Sequence, residues 1–324
     1  MNSVNSDIFR KAGALLTKQK AFAAVVLMMF FMVFPRTNFY SVNNLSNLVE
    51  AVSVLMILAY GVTLVLVAGG CDLSIGGVLV VSGIVAIMII NAGLPIWLGV
   101  IGAMLSGCVV GVINGFISVY QRTEPFIITL GMGMVLKGVA QQLTNAHPMP
   151  CTNPAFQLLS NGTVFGVIPW LVIVMIIVFI IMHVILRYTP YGRNCYAIGG
   201  DYEVAKSSGI NVRLIKASTY VVCGATAGLG GAMLSSLLNT GSSIYGDTTA
   251  LLVNCGVVVG GTSFAGGIGS APQSLIGLLV FGVLSNAMNM LSINSYIQQL
   301  VQGVLIVLII SLDCYSRKRK REAV

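Results

Sequence analysis

The sequence predicts an all-α integral membrane protein with about ten transmembrane helices. Of its 324 residues, 56% are hydrophobic and only 8% are charged, and the mean hydropathy is +0.94. Soluble domains carry about 25% charged residues. Apolar runs close to the roughly 20 residues that a membrane-spanning helix needs recur along the whole chain. Basic residues cluster between these runs, as they do in the loops of membrane proteins.

Ten apolar runs account for the predicted helices. Two of them, 73–91 and 248–265, are rich in glycine or short polar residues, and such interrupted segments are tolerated only where the backbone is buried in protein or lines a water-filled path. The ten predicted spans are approximately 19–35, 48–68, 73–91, 95–119, 125–143, 166–186, 215–237, 248–265, 271–290 and 296–313.

The distribution of positive charge predicts the orientation. With a cytoplasmic N-terminus, every Lys and Arg except Arg36 and Lys137 falls on the cytoplasmic side, and loop 144–165, which has no Lys or Arg, lies outside. An even number of helices also keeps the basic run Arg317–Arg321 inside. The predicted domains are therefore a cytoplasmic segment 1–18, one transmembrane domain 19–313 and a basic cytoplasmic tail 314–324. Charge at membrane-flanking loops, rather than on one folded face, argues against a nucleic-acid partner.

The longest cytoplasmic loop, 187–216, is the most informative polar stretch, and we call it the coupling loop. Gly199 and Gly200 predict a tight turn into a helix capped by Asp201, with Glu203 in the first turn and Gly209 ending the helix in a left-handed conformation. A helix of about two turns is marginal alone. It therefore requires support from flanking protein or a partner. The loop is either a solvated loop that follows the positive-inside rule or a docking helix for a cytoplasmic protein.

Two motifs place polar groups at membrane depth. In the Gly69–Gly77 segment, Asp72 or Ser74 can cap the following helix, and direct contact with a ligand is the alternative. Glu124 and Pro125 predict the start of the fifth helix. Lys137 lies about 18 Å further along that helix. It either marks a functional site facing protein or water, or extends toward the outer interface.

The remaining polar residues indicate no enzyme and no metal site. His147 and His183 fall in an outer loop and a membrane helix, so they cannot pair around a metal, and no Ser, His and acid share one depth. Gly256–Ser263 has Thr262 where a phosphate-binding loop needs Lys. The amides of the late helices, including Asn254, are expected to bond neighbouring helices, and as a group they would also suit sugar hydroxyls.

Several motifs resemble the membrane subunits of bacterial ABC importers for ribose, galactose, xylose, arabinose and related monosaccharides. The resemblance is collinear from about residue 40 to 313. The segments that carry it are Gly70–Gly76, Pro125–Gly131 followed by Lys137-Gly138, Tyr191–Asn194, Ala197–Asp201, Ala205 with Ser208–Val212, Val259–Gly269 and Asn286–Leu291.

The resemblance implies a fold similar to the membrane subunit of the vitamin B12 importer, in the bacterial inner membrane. It implies two cytoplasmic ATP-binding subunits, a periplasmic sugar-binding protein and a second permease copy or a paralogue in the lipid bilayer, and no cofactor in this chain. The expected coupling residues are Gly192, Arg193, Gly199, Gly200, Asp201, Glu203, Ala205, Ser208 and Gly209. The candidate translocation residues are Asp72, Ser74, Phe126, Thr129, Lys137, Asn254, Asn286 and Asn289.

The sequence departs from the family pattern at three places. Lys137 stands where the family usually has Arg, and the two side chains are not equivalent in paired sites. Val204 replaces the usual Ala of the coupling loop. Ala250 occupies the position of a usual acid, and the nearest acid is Asp247. The last difference bears on substrate identity and activity.

The predicted function is the pore-forming permease of an ATP-driven monosaccharide importer. The alternative is an autonomous secondary transporter or channel for a small polar solute, which would require buried titratable groups for ion coupling or inverted repeats with broken helices. A membrane-embedded enzyme would require convergent catalytic groups at one depth. Co-purification with an ATPase separates the first class from the other two.

Overall fold

A computed structural model describes residue 28 and residues 38–164, 166, 168–246 and 248–322. The predicted span 19–35, the segment 1–18 and Asp247 lie outside this description, apart from Met28. Within it the chain is almost entirely helical. The helices are α1 (Val42–Val67), α2 (Ile75–Asn91), α3 (Ile96–Gly115, continued by a π-helical turn Phe116–Tyr120), α4 (Pro125–Thr144), α5 (Leu158–Asn161), α6 (Trp170–Tyr188), α7 (Pro190–Gly200), α8 (Tyr202–Ser207), α9 (Val212–Leu238), α10 (Thr249–Val259), α11 (Ala271–Met290) and α12 (Ser295–Glu322).

Six of the described helices are long and apolar enough to cross a membrane, counting the π-helical turn with α3: α1, α3, α4, α6, α9 and α11. Three shorter apolar stretches are α2, α10 and the first part of α12, Ser295–Leu308. The chain is therefore a multi-pass membrane protein. Each of the nine predicted spans after residue 40 has a helix in the structure.

The bundle is organised around α1 and α9. Helix α1 is buried through its second half, and α9 packs against α1, α2 and α3. Glycine allows these helices to approach closely, as is usual in membranes. A Cβ on Gly228 of α9 would collide with the Ala103 carbonyl, and a Cβ on Gly61 of α1 would lie 2.8 Å from the Cys223 Cα.

Loops gather at two ends of the bundle. One end, which we call the basic end, holds the α1–α2 loop, the coupling loop and the α10–α11 loop. At the opposite end, β1 (Met149–Pro150) pairs antiparallel with β4 (Thr240–Gly241), and β2 (Thr163–Val164) pairs with β3 (Ile168–Pro169). The Asn91 side chain bonds the Pro150 carbonyl and the Thr152 backbone N–H. The described part of loop 144–165 is thus a folded cap on this end of the helices.

Three sequence predictions differ from the structure. The helix in the predicted span 248–265 ends at Val259, because Gly261 adopts φ +116°, which an α-helix does not contain. With 11 residues, α10 is about 16 Å long, too short to cross a membrane alone. The helix predicted over 296–313 continues through most of the expected tail to Glu322. Gly199 and Gly200 do not form a turn, because α7 continues through both.

Candidate functional site

The coupling loop contains the short helix that the sequence predicts. The Asp201 carboxylate accepts the Val204 N–H at 3.0 Å and caps α8. Gly209 follows with φ +81°, as predicted for a left-handed helix end. Glu203 lies in the first turn and forms an exposed pair with Lys206, with 3.9 Å between the charged atoms. Such an exposed pair stabilises the helix little.

One face of α8 is anchored and the other is free. Ala205 is buried in a small apolar cluster with Ile198 of α7 and Val212 of α9. On the other face, Val204 is 63% exposed, and Tyr202 is also exposed. Apolar side chains beside charges on a solvent-facing helix are typical of a surface that another protein covers. The helix is therefore held by its own chain on one face and exposes the other.

The other predicted coupling residues take different positions. Gly192 and Gly199 pack against backbone, Gly192 against the end of α6 and Gly199 against the end of α1. A Cβ on Gly200 would meet no atom within 4 Å, and Arg193 is exposed. The Ser208 hydroxyl donates to the Val204 carbonyl at 2.9 Å and closes the helix.

Tyr196 links the coupling loop to the loop before α11. Its hydroxyl donates to the Gly269 carbonyl at 2.6 Å. Burial raises the pKa of Tyr196 above its usual value, so the hydroxyl keeps its proton at neutral pH and remains a donor.

A buried polar network holds the loop between α1 and α2, residues 68–74. Asp72 is 1% exposed, and its Oδ1 accepts the Ser74 N–H at 2.9 Å and the Ser74 hydroxyl at 2.7 Å. Thr129 accepts the Leu73 N–H at 3.0 Å, and the Asn254 amide donates to the Asp72 carbonyl at 2.9 Å. Asn114 donates to the Ser74 hydroxyl. Four candidate translocation residues thus meet around one loop, where they satisfy each other.

The predicted helix cap is not formed, because Asp72 bonds the N–H of the N-cap residue Ser74 and neither side chain bonds an N–H of the first turn of α2. Asp72 accepts a backbone N–H at the start of α2, where the helix dipole favours an acid. The Ser74 side chain makes no capping bond to the helix. Its hydroxyl is instead placed between Asp72 and Asn114, because Asp72 takes the backbone N–H of Ser74 itself.

Lys137 lines a cavity of about 180 Å³ between α2, α4 and the segment leading into α10. The wall includes Leu73, Gly77, Ser243 and Ala250. Part of the lining is thus the end of the loop that the polar network supports. The cavity is mostly apolar, with Lys137 and Ser243 as its polar side chains.

The remaining candidates lie elsewhere. Asn286 and Asn44 exchange two amide hydrogen bonds of 2.9 and 3.0 Å between α11 and α1. Asn289 accepts the Gln298 amide at 2.8 Å. The inter-helix bonding expected for late-helix amides is therefore observed at these positions. Phe126 projects from an exposed face of α4.

Two residues that hold the loop between α1 and α2 were missed by sequence reasoning. Asn114 completes the polar network, and a single amide in the apolar run of α3 was a signal that could have found it. Lys216 donates from Nζ to the Gly69 carbonyl at 2.9 Å. In the sequence, Lys216 is one of several loop cations, and nothing local distinguishes it.

The fold defines a helical, multi-pass membrane protein with a short, partly exposed helix at its basic end. Residues 44–310 match the family described as branched-chain amino acid transport system / permease component. The chain belongs to this family.

The chain is similar in sequence to curated proteins along nearly its whole length. It is 34% identical to the ribose import permease protein RbsC of Haemophilus influenzae, over 95% of this chain and 96% of that protein. It is 35% identical to RbsC of Escherichia coli K12, over 93% of this chain and 94% of that protein. It is 30% identical to the L-arabinose ABC transporter permease protein AraH of Azospirillum brasilense, over 91% of this chain and 88% of that protein. The resemblance stated from the motifs is thereby confirmed. No solved structure gives a significant match.

Proposed function

We propose that the chain is the pore-forming permease subunit of an ATP-driven importer for a monosaccharide that a periplasmic binding protein delivers. The observation that carries the proposal is the near-full-length similarity to permeases named for ribose and arabinose import. It is supported by a capped, half-exposed helix at the basic end, where a cytoplasmic ATPase would dock. ATP hydrolysis then belongs to that separate subunit.

The proposed topology has ten spans, with both termini in the cytoplasm of a bacterial cell and a fold like that of the vitamin B12 importer's membrane subunit. The alternation of described loops between two ends of the bundle supports it. Arg122, Arg187, Arg193, Lys206, Arg213 and Lys216 fall at the basic end, which the positive-inside rule makes cytoplasmic.

We place the sugar path beside Lys137. The cavity there adjoins α4, of whose 20 residues only Thr129, Leu136, Ala140 and Thr144 are buried. The exposed side chains of α4 are mostly apolar, but Lys137 and Gln141 are also among them. Polar groups on a membrane helix favour contact with protein, which a second permease copy or a paralogue would provide. In this arrangement Lys137 donates to sugar hydroxyls, while Asp72, Ser74, Thr129 and Asn254 support the wall.

The test reconstitutes the chain with its ATP-binding subunit and sugar-binding protein in liposomes and measures uptake of labelled ribose and arabinose. ATP-dependent uptake, together with capture of the ATPase that Glu203→Lys abolishes, is the expected result. The control is the double variant Glu203→Lys, Lys206→Glu, which restores opposite charges on α8. Uptake by the chain alone without ATP would instead establish a self-sufficient carrier.

A further inference from the structure

Three backbone segments meet without intervening side chains at the basic end, next to α8. They are the end of α1 at Val67–Gly69, the end of α7 at Gly199, and the loop at Gly266 and Gly267; we call this contact the glycine junction. The Gly267 N–H donates to the Val67 carbonyl at 2.9 Å. A Cβ on Gly199 would collide with the Val67 carbonyl and lie 2.5 Å from the Gly267 nitrogen.

The junction is tight on every side. A Cβ on Gly266 would lie 2.7 Å from the Gly199 carbonyl oxygen and 2.9 Å from the Gly69 Cα, and Gly69, Gly266 and Gly267 all adopt positive φ. Backbone that packs on backbone has no flexible side chain to absorb a displacement. Movement of the end of α7 is therefore passed directly to the end of α1.

Lys216 makes a second link to the same place. It lies in the second turn of α9, which follows α8 after a short connection, and its Nζ donates to the Gly69 carbonyl at 2.9 Å. Gly69 begins the loop that ends at Leu73 and Ser74. Leu73 lines the Lys137 cavity, and its N–H is held by Thr129. The glycine junction and the Lys216 hydrogen bond thus both connect a segment next to α8 with the loop that lines the Lys137 cavity.

We propose that Gly199, Gly266 and Lys216 are positioning residues that convert displacement of α8 into movement of the loop 69–74 beside the sugar path. This inference rests on the proposed function, because it assumes that an ATPase moves α8. Asp201 joins α7 to α8 without a spacer, since it is both the residue after α7 and the cap of α8. A shift of α8 accordingly moves Gly199.

The test compares Lys216→Met, Lys216→Arg and Gly199→Ala in the complete reconstituted importer. Gly303→Ala on α12 is the matched control for the glycine, because a Cβ added there would meet nothing within 4 Å. Two quantities are measured: sugar imported per ATP hydrolysed, and the ATP-dependent change in labelling of Cys71 by a maleimide, read by site-resolved mass spectrometry. Cys71 reports on the loop itself because it is a half-buried free thiol within it.

We expect Lys216→Met and Gly199→Ala to lower sugar imported per ATP by roughly 2- to 30-fold, the range of coupling changes seen for such residues. The ATP-dependent change in Cys71 labelling should shrink in parallel, while ATPase capture stays intact. Lys216→Arg, which retains a cationic donor, should recover part of both, and Gly303→Ala should match the parent.

Two results would overturn the inference. One is a Lys216→Met variant in which both the sugar imported per ATP hydrolysed and the ATP-dependent change in Cys71 labelling are unchanged. This variant is decisive even if Gly199→Ala fails to assemble. The other is a loss of ATPase capture equal to the loss of transport, which would assign these residues to docking. Failure of the parent complex to import sugar with ATP refutes the proposed function instead, so the two failures are distinguishable.

Discussion

The cap of α8 gives the most direct test of the coupling surface, through Asp201→Ala. The bond from the Val204 N–H to the Asp201 carboxylate is the side-chain cap of a six-residue helix. Removing such a cap costs about 1 kcal/mol. That corresponds to about a fivefold loss in the population of the formed helix. If the partner binds only the formed helix, its apparent Kd rises by the same factor at most.

The assay is binding of the purified ATP-binding subunit to the chain in nanodiscs. Asp201→Asn is the matched control because Asn caps helices as well as Asp does. It should stay within about twofold of the parent, since an exposed charge at a helix start contributes roughly 0.3 kcal/mol. Equal losses for the Ala and Asn variants would show that the carboxylate charge, and not the cap, matters. An Ala variant that binds like the parent would refute the requirement for a formed helix.

Three further predictions concern the membrane region. Lys137→Met should lower sugar uptake while leaving ATPase binding unchanged; unaltered uptake kinetics would show that the ammonium only extends to the interface. Gly107→Ala should reduce the yield of monodisperse protein, because its Cβ would collide with a backbone carbonyl of α9, whereas Gly102→Ala should be tolerated, because its Cβ meets the end of a flexible side chain. Double-mutant cycles with Asn44→Leu and Asn286→Leu should give a coupling of about 0.6 kcal/mol in thermal unfolding, typical of hydrogen bonds between membrane helices; additive effects would count against a shared bond.

Features encoded by local signals could be predicted from the sequence. Hydropathy located the described membrane helices because each needs a continuous apolar run, whatever it packs against. Helix α8 was predictable for a similar reason: its Asp201 cap and its Gly209 terminus act within a few residues. The same local reasoning failed for Gly199, which it assigned to a turn. That glycine is required by a distant carbonyl, at Val67, and no local pattern encodes such a contact.

The hydrogen-bond partners of the buried polar groups could not be predicted either, because they lie far apart in the sequence. Asn254 bonds the Asp72 carbonyl across 182 positions, and Asn44 bonds Asn286 across 242. A single sequence identifies an amide in an apolar run, but not the group on another helix that satisfies it. Cavity lining is equally non-local, since Lys137 and Ser243 share a wall only after α4 and the approach to α10 have packed against α2.

The hydrogen bonds of the polar network bear on where selectivity lies, although the buried Asn114 Oδ1 has no hydrogen-bond partner among the residues that the structure describes. Asp72 already accepts two hydrogen bonds, and the Asn254 amide is committed to two backbone carbonyls. Turning Asp72 Oδ1 or the Asn254 N–H groups toward a sugar would break these buried bonds, at a cost of about 1–3 kcal/mol for each group left unpaired. Lys137 and Ser243 supply the polar side chains that line the cavity, so we place the contact with a passing hydroxyl there. In this proposal the hydrogen bonds of Asp72 keep the 69–74 loop rigid. A rigid loop can transmit a displacement of α8 to the proposed sugar path.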